Sequence, residues 1–294
     1  MTLSGERYAI TASGYTAEVS EVGAALAGLW LDGKPVIVDT GADELPPKSA
    51  GCVLAPWPNR IRDGRYRFDG VDYQLPLTEP ALHNASHGLA RWSRWQLLEQ
   101  TESSVLLSCD LVPQTGYPFE IRLHLLYILD AEGLTVRLAA TNTGQRPAPF
   151  GVGFHPYFDL GTSALDDAQL QVPAESVRRT DEQRIPVETL PVAGTGYDLR
   201  RLRPLGELRL DHNFTGLTGS TAVLTTAART VELHWDRSFH NLQVFTPPFV
   251  TPGRNAIALE PMSCPADAFN SGEDLVRLEP DQRWTGEWSI RVTA

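Results

Sequence analysis

One carboxylate stands out because of its place in the sequence. Glu260 ends the apolar run 256–259 and is followed directly by Pro261. A short apolar run of this kind is typical of a buried strand, and a buried carboxylate is costly unless it is paired, hydrogen-bonded or used in chemistry. The alternative is a strand-end glutamate that faces solvent, as most charged residues do. Glu260 is therefore either a surface residue or a functional carboxylate.

Two histidines lie in settings that could support proton transfer. His155 stands among aromatic residues in the segment 150–158, and the following Pro156 favours an extended backbone at the histidine. Aromatic surroundings favour a neutral imidazole at pH 7, which can accept or donate a proton. His87 precedes Gly88, which permits a close backbone approach or an unusual turn. The structural alternatives are a packed core histidine at 155 and an ordinary turn histidine at 87.

Three further segments carry polar groups between apolar residues. Asn59 and Arg60 follow Pro-Trp-Pro, so that an amide and a planar guanidinium lie beside an aromatic face, as in sites that hold sugar hydroxyls. Asp211 begins an Asp-His-Asn triplet, and Gln243 lies within a strand-like run. The structural alternatives are a sheet-edge cap for the first segment and an Asx turn for the triplet.

Taken together and in this order, these motifs resemble the aldose 1-epimerase, or galactose mutarotase, family. The matching positions, over roughly residues 10–292, are Asn59-Arg60 with Gly64 and the turn 68–70, Asn84-x-x-His87-Gly88, His155-Pro156-Tyr157-Phe158, Asp211-His212-Asn213, Gln243-x-x-Thr246, and Leu259-Glu260 followed by Pro265-x-Asp267-Ala268. The ordered set is specific, although each motif alone is not. The resemblance implies interconversion of the α and β anomers of a free hexose on the concave face of a large antiparallel β-sandwich.

The resemblance also implies a role for each matched residue. Glu260 is similar to the general base and His155 to the general acid, and the substrate-binding groups are Asn59, Arg60, His87, Asp211 and Gln243. Anomer exchange removes a proton from the C1 hydroxyl and gives one to the ring oxygen, which a carboxylate and an imidazole on opposite sides of the sugar can do. The reaction requires no metal and no nucleotide, so we expect no cofactor.

The charge of the substrate is left open by the residues after His87. The segment His87-Gly88-Leu89 departs from the His-Gly-Gly of the family, and Arg91 with Trp95 resembles the hexose-6-phosphate 1-epimerase branch. An arginine there could bind an anionic group on C6, or it could pair with an acid or stack on Trp92. The segment 56–61, in contrast, resembles the neutral-sugar branch. We expect a neutral aldose, with a phosphorylated or sulfonated hexose as the alternative.

Two other classes of function fit the same residues. A non-catalytic carbohydrate-binding domain would use the same fold without needing an acid and a base. A glycoside-cleaving enzyme would need two carboxylates facing one bond, for which Asp211 and Glu260 are the candidates.

The remaining sequence predicts the elements that hold these residues. Apolar runs of about four to nine residues alternate with Gly, Pro, Asn and Asp, which is an all-β pattern. Asp-Gly pairs at 32–33 and 69–70 predict hairpins. Further strands are predicted at 105–111, 119–129, 134–141, 168–172, 221–226, 231–235, 242–246 and 284–292. Helix is confined to short turns such as 265–270, and 176–206 is predicted to form long surface connections. We expect one sandwich domain over 1–294.

Composition narrows the function further. The chain of 294 residues carries a net charge of -11, which argues against a nucleic-acid partner. Its 3 cysteines are far apart without a CxxC motif, which favours neither a disulfide framework nor a zinc site. No signal-like start or apolar run of ~20 residues predicts export or a membrane span. We therefore expect a cytoplasmic protein, a monomer or homodimer, and the family resemblance implies that its partner is a small sugar.

Overall fold

The computed structural model describes residues 2–43, 46–247 and 255–293. Its strands are, in chain order, β1 (Arg7–Ala12), β2 (Tyr15–Ser20), β3 (Leu26–Leu31), β4 (Lys34–Ile37), β5 (Val53–Leu54), β6 (Arg60–Arg62), β7 (Arg65–Phe68), β8 (Val71–Gln74), β9 (Asn84–Ser86), β10 (Gln96–Gln100), β11 (Ser104–Leu111), β12 (Ile121–Leu129), β13 (Leu134–Asn142), β14 (Ala148–Phe150), β15 (Gly153–Phe154), β16 (Tyr157–Asp159), β17 (Gln169–Gln171), β18 (Ala174–Thr180), β19 (Pro186–Pro191), β20 (Arg203–Pro204), β21 (Asp211–Leu217), β22 (Thr221–Thr225), β23 (Thr230–Trp235), β24 (Asn241–Phe245), β25 (Ala256–Met262), β26 (Val276–Leu278) and β27 (Arg283–Thr293). The helical elements are short: 3-10 turns at Pro47–Ser49, Pro80–Leu82, Ala90–Trp92 and Leu165–Asp167, and the α-helical turn α1 (Ala268–Ser271).

Most of these strands belong to two antiparallel sheets. Sheet A has the order β1-β2-β3-β4-β16-β25-β24-β21-β18-β19, with β15 pairing β25 and β5. Sheet B has the order β10-β11-β12-β13-β27-β23-β22-β17-β20. Three short ribbons, β6-β9, β7-β8 and β14-β26, complete the described strands.

The two sheets pack against each other through one apolar core. In β11 and β12 nearly every second side chain is buried, as expected for strands with one face inward. Leu107 and Val136 of sheet B belong to the same buried cluster as Leu242 and Leu259 of sheet A. Every residue of β25 is buried, because one of its faces contacts the core and the other lies beneath a cleft. The predicted all-β sandwich is therefore confirmed.

Most of the predicted strands also agree with the structure. The prediction 119–129 corresponds to Ile121–Leu129, and 284–292 corresponds to Arg283–Thr293. Both Asp-Gly hairpins form, between β3 and β4 and between β7 and β8, and Asp32 and Asp69 each have a φ of 49°.

The prediction that 176–206 forms surface connections is wrong for much of that range. Strands β18 and β19 form a hairpin at one edge of sheet A. Proline is tolerated on an edge strand because the missing N–H faces solvent, which explains Pro186 and Pro191 at the ends of β19. The predicted helix at 265–270 is reduced to Ala268–Ser271, since Asp267 has a left-handed φ of 61°.

None of the helices in the described part of the chain is long and apolar enough to cross a membrane.

Candidate active site

The floor of the candidate site is a row of side chains across β21, β24 and β25. Asn213 lies opposite Gln243, and Gln243 lies opposite Glu260. Directly opposed residues project from the same face of a sheet, whereas the alternate residues Leu242 and Leu259 project into the core. Glu260 is 2% exposed, so the interpretation of Glu260 as a solvent-facing residue is wrong.

His155 reaches the same floor from the connection between β15 and β16. Phe154 and Phe158, on either side of it in sequence, are buried in the core. The carbonyl oxygen of His155 accepts a hydrogen bond from the N–H of Gly51 at 2.8 Å. The imidazole stacks on the ring of Tyr157, with 4.9 Å between centroids and 6° between planes. The backbone and the ring of His155 are thus both held by the protein.

Glu260 and His155 lie side by side, with 3.4 Å between Oε1 and Nε2. Burial raises the pKa of Glu260 well above its ordinary value, the charge of Asp211 adds to this, and the charge of Arg60 opposes it. Burial lowers the pKa of His155 to about 3. Both shifts favour uncharged forms at neutral pH, so the pair holds its shared proton on the carboxyl group.

Two buried polar atoms of this pair lack a hydrogen-bond partner among the described residues. They are Glu260 Oε2 and His155 Nδ1. A buried polar atom without a partner costs about 1–3 kcal/mol. A bound molecule that hydrogen-bonds to either atom would remove that cost.

His87 is placed by a tight turn after β9. Its N–H donates to the carbonyl oxygen of Asn59 at 2.7 Å, and its ring centroid lies 5.6 Å from that of His155. His87 and Gly88 both have positive φ, and a Cβ on Gly88 would lie 2.2 Å from the carbonyl oxygen of Ala55. The close backbone approach predicted at Gly88 is confirmed. Burial lowers the pKa of His87 well below its ordinary value.

Arg60, at the start of β6, is held by a glutamate that was not predicted from the sequence. Its Nε donates to Oε2 of Glu79 at 2.7 Å, and its Nη2 donates to Oε1 at 3.0 Å. Nη1 donates to Oδ1 of Asn59 at 3.2 Å. These bonds use three of the five guanidinium N–H groups and leave two for a ligand. The only sequence signal for Glu79 is a carboxylate directly before Pro80, between the two segments 59–60 and 84–88.

Asp211 is held in a similar way at the start of β21. Its Oδ1 accepts a hydrogen bond from Nε2 of Gln243 at 2.8 Å, and its Oδ2 accepts one from Nη1 of Arg184 at 3.2 Å. Arg184 lies in the turn between β18 and β19. It was not predicted as a site residue, because the charges and prolines of this region are typical of surface connections.

Arg91 lies on the 3-10 turn Ala90–Trp92 and is 9% exposed. Its Nη1 donates to Oγ of Ser49 at 2.8 Å, and its guanidinium carbon lies 5.1 Å above the ring of Trp92. The stacking alternative on Trp92 is therefore present, whereas no carboxylate among the described residues pairs with Arg91. Arg94, three residues later, instead donates to Glu21 at 2.5 Å.

The candidate site is one cleft of about 270 Å³. The structure brings together the eight candidate residues predicted from the sequence: Asn59, Arg60, His87, Arg91, His155, Asp211, Gln243 and Glu260. It adds Glu79, Arg184, Ser49 and Lys48 to the lining. The roles assigned to the eight residues stay predictions, since their positions alone do not test them.

The described residues contain no group of three His, Cys, Asp or Glu side chains that could hold a metal ion. Cys52, Cys109 and Cys264 are buried and unpaired.

Comparison with known proteins places this fold in a wider group. The family model described as aldose 1-epimerase matches residues 6–291. The chain is 37% identical over 283 residues to the Escherichia coli K12 protein YihR, described as uncharacterized, covering 95% of this chain and 91% of that protein. It is 32% identical over 179 residues to galactose mutarotase of Rattus norvegicus, covering 56% of this chain and 51% of that protein.

Among solved structures, the chain is similar to the GalM/aldose epimerase homologue from C. elegans. The TM-score is 0.88 at 22% sequence identity, and the match covers 98% of each chain. At that identity the likeness establishes a common fold.

Proposed function

We propose, because the chain belongs to the aldose 1-epimerase family, that it interconverts the α and β anomers of a free aldose. The observation that carries the proposal is the buried Glu260–His155 pair on the floor of a small cleft. The cleft, at about 270 Å³, lies just below the roughly 300–1,000 Å³ typical of sites for drug-sized ligands. That size suits a single sugar ring.

Ring opening needs one group that accepts a proton and one that donates a proton. Glu260 accepts the proton of the C1 hydroxyl, and His155 donates a proton to the ring oxygen. The bond between C1 and the ring oxygen breaks, its electron pair stays on that oxygen, and C1 becomes an aldehyde. Rotation about the C1–C2 bond presents the other face of C1, and the reversed transfers close the ring. Each positioned transfer contributes typically ~10²- to 10⁴-fold.

The reaction requires the pair to hold one titrating proton in total. In the free site the raised pKa of Glu260 and the lowered pKa of His155 both favour this proton on Glu260. Transfer to His155, 3.4 Å away, creates the carboxylate and imidazolium that open the ring. The opposite charges attract strongly in a buried site, and a sugar hydroxyl that donates to Glu260 Oε2 stabilises the carboxylate further.

The polar groups around the pair fix the sugar ring while C1 stays free to react. Arg60 has two N–H groups left for sugar hydroxyls, since Glu79 and Asn59 take the other three. Asp211 and Gln243 are bonded to each other and present a carboxylate and an amide beside Glu260. Such contacts hold both anomers equally and orient the ring against the acid and the base.

The proposal is tested by the relaxation of freshly dissolved single anomers. We expect the optical rotation of at least one free aldose, among α-D-glucose, α-D-galactose and hexoses with a charged C6 group, to reach equilibrium faster in proportion to protein concentration. Heat-denatured protein serves as the control. An unchanged relaxation rate for every one of these sugars would contradict the proposal.

A non-catalytic sugar-binding protein would bind the same ligands and leave the relaxation rate unchanged. Glycoside cleavage is less well supported, because it needs a second carboxylate with a free role. Both oxygens of Asp211 are already engaged, by Gln243 and by Arg184. Release of reducing ends from disaccharides would favour this alternative.

A further inference from the structure

The cleft carries more positive charge than its own carboxylates balance. Four cationic side chains line it, and two of these are paired: Arg60 with Glu79, and Arg184 with Asp211. The other two, Arg91 and Lys48, have no carboxylate partner among the described residues. This local excess contrasts with the net charge of -11 of the whole chain.

Of these two cations, Arg91 is the stronger evidence for a bound anion because it is buried. Arg91 as a whole residue is 9% exposed, and burying a charge is costly unless an opposite charge replaces the lost water. Its Nη1 is satisfied by Ser49, but its Nε is buried without a partner among the described residues. The guanidinium is held by its hydrogen bond to Ser49 and by the ring of Trp92, whose centroid lies 5.1 Å from the guanidinium carbon. An arginine fixed in this way is suited to bidentate binding of an oxyanion.

The place of Arg91 in the cleft indicates which part of a sugar it would meet. Arg91 lies four residues after His87, both side chains line the cleft, and the ring centroid of His87 lies 5.6 Å from that of His155. In a pyranose the ring oxygen is bonded to C1 and to C5, and C5 carries C6. If His155 donates to the ring oxygen and Glu260 faces the C1 hydroxyl, the side of the ring beyond His155 is the side of C5 and C6. Arg91 therefore lies on the side of the C6 substituent.

We infer that Arg91, Ser49 and Lys48 form an anion subsite, and that the preferred substrate is an aldose with a negatively charged group on C6. Phosphate, sulfonate and carboxylate share the chemistry that this subsite recognises. The inference rests on the proposed function only for the orientation of the sugar. The excess of positive charge in the cleft does not depend on that orientation.

The experiment measures anomer exchange at equilibrium by NMR for glucose, glucose 6-phosphate, glucuronate and a 6-sulfonated glucose. We expect kcat/KM for at least one anionic sugar to exceed that for glucose by 100-fold or more. In Arg91→Gln that ratio falls to below tenfold, and in Lys48→Ala it falls by about threefold or more. The matched control Arg94→Gln, an exposed arginine of the same segment whose side chain bonds Glu21, keeps the wild-type ratio. The anionic sugar with the highest kcat/KM shows whether the subsite prefers phosphate, sulfonate or carboxylate.

Equal or better turnover of glucose in the wild type would overturn the inference, as would an unchanged ratio in folded Arg91→Gln. If Arg91→Gln does not fold, the exposed Lys48 decides, and an unchanged ratio in Lys48→Ala overturns the inference. Calorimetric binding separates this failure from failure of the proposed function. Binding of an anionic sugar that weakens in either variant, without any anomer exchange, would refute the epimerase and retain the subsite. Absence of both binding and exchange would overturn the subsite.

Discussion

At the scale of single residues, the site is built from ionisable groups whose burial disfavours their charged forms. Glu260 lies beneath the cleft with one oxygen unpartnered among the described residues, and His155 beside it has a nitrogen in the same state. Such atoms reduce the stability of the folded state, and they persist where a ligand or a reaction uses them. The two residues therefore lead to predictions about stability as well as about rate.

Glu260→Gln should stabilise the protein, increasingly so as the pH rises. The pKa of Glu260 is raised on folding, so the folded state holds the proton more tightly than the unfolded state. Below the unfolded pKa of about 4.3 this contributes fully to stability, and it is lost as the pH rises toward the folded pKa. An uncharged amide avoids that loss. The advantage of the variant should grow by up to about 1.4 kcal/mol per pH unit in this window.

The measurement is urea unfolding of the wild type and Glu260→Gln from pH 5 to pH 9. Glu99→Gln, a change of the same kind on the exposed strand β10, is the control and should show no such trend. A variant that loses stability relative to the wild type as the pH rises would contradict the raised pKa.

The pH dependence of turnover tests the state of His155. With a pKa of about 3, His155 acquires a second proton for the pair only in strong acid. For glucose or 6-sulfonated glucose, whose charge does not change in this range, we therefore expect kcat/KM, after correction for spontaneous exchange, to stay within about threefold between pH 7 and pH 5. A free imidazole titrates near 6.5 and would give an acid limb there. A tenfold fall over this interval would show that His155 is not held neutral.

At the scale of elements, tight turns position the site residues as much as the strands do. Gly88→Ala should cost several kcal/mol and disturb His87, because its Cβ would clash with the Ala55 carbonyl and its φ of 68° is strained for alanine. Gly70→Ala is the matched control, since Gly70 has a φ of 80° and a Cβ added there would meet no atom within 4 Å. It should cost about 1 kcal/mol. Equal losses in urea unfolding would contradict the role of this close approach.

The elements also mark how far the sequence could predict the structure. The apolar run 119–129 and the Asp-Gly turns predicted strands and hairpins, because local preference and burial agree there. The hairpin β18–β19 was not predicted, since prolines and charges on an edge strand are also typical of a loop. Its turn places Arg184 on Asp211, a contact that depends on a pairing between distant strands.

In the candidate site, too, part of the arrangement could be predicted from the sequence and part could not. The ordered motifs predicted eight candidate residues, and all eight line the cleft. The ion pair of Arg60 with Glu79 and the position of Ser49 beside Arg91 could not be predicted. They depend on how a turn and a ribbon pack over sheet A, and no periodicity encodes that.

At the scale of the whole molecule, the shared core predicts one cooperative unit. Side chains of both sheets belong to a single buried cluster, with Leu107 and Leu259 as examples. Neither sheet can keep its inner face buried without the other, so we expect circular dichroism and tryptophan fluorescence to report one coincident unfolding transition. Two separated transitions would contradict a single domain over 1–294.

The most direct test of the central claim is the rate of anomer exchange in Glu260→Gln, measured by NMR with the best substrate at saturating concentration. An amide cannot accept the C1 proton, so kcat should fall by 100-fold or more while the sugar still binds, and Glu99→Gln should keep the wild-type rate. His155→Asn should show a loss of similar size. Turnover within threefold of the wild type in folded Glu260→Gln would contradict the assignment of this carboxylate as the general base.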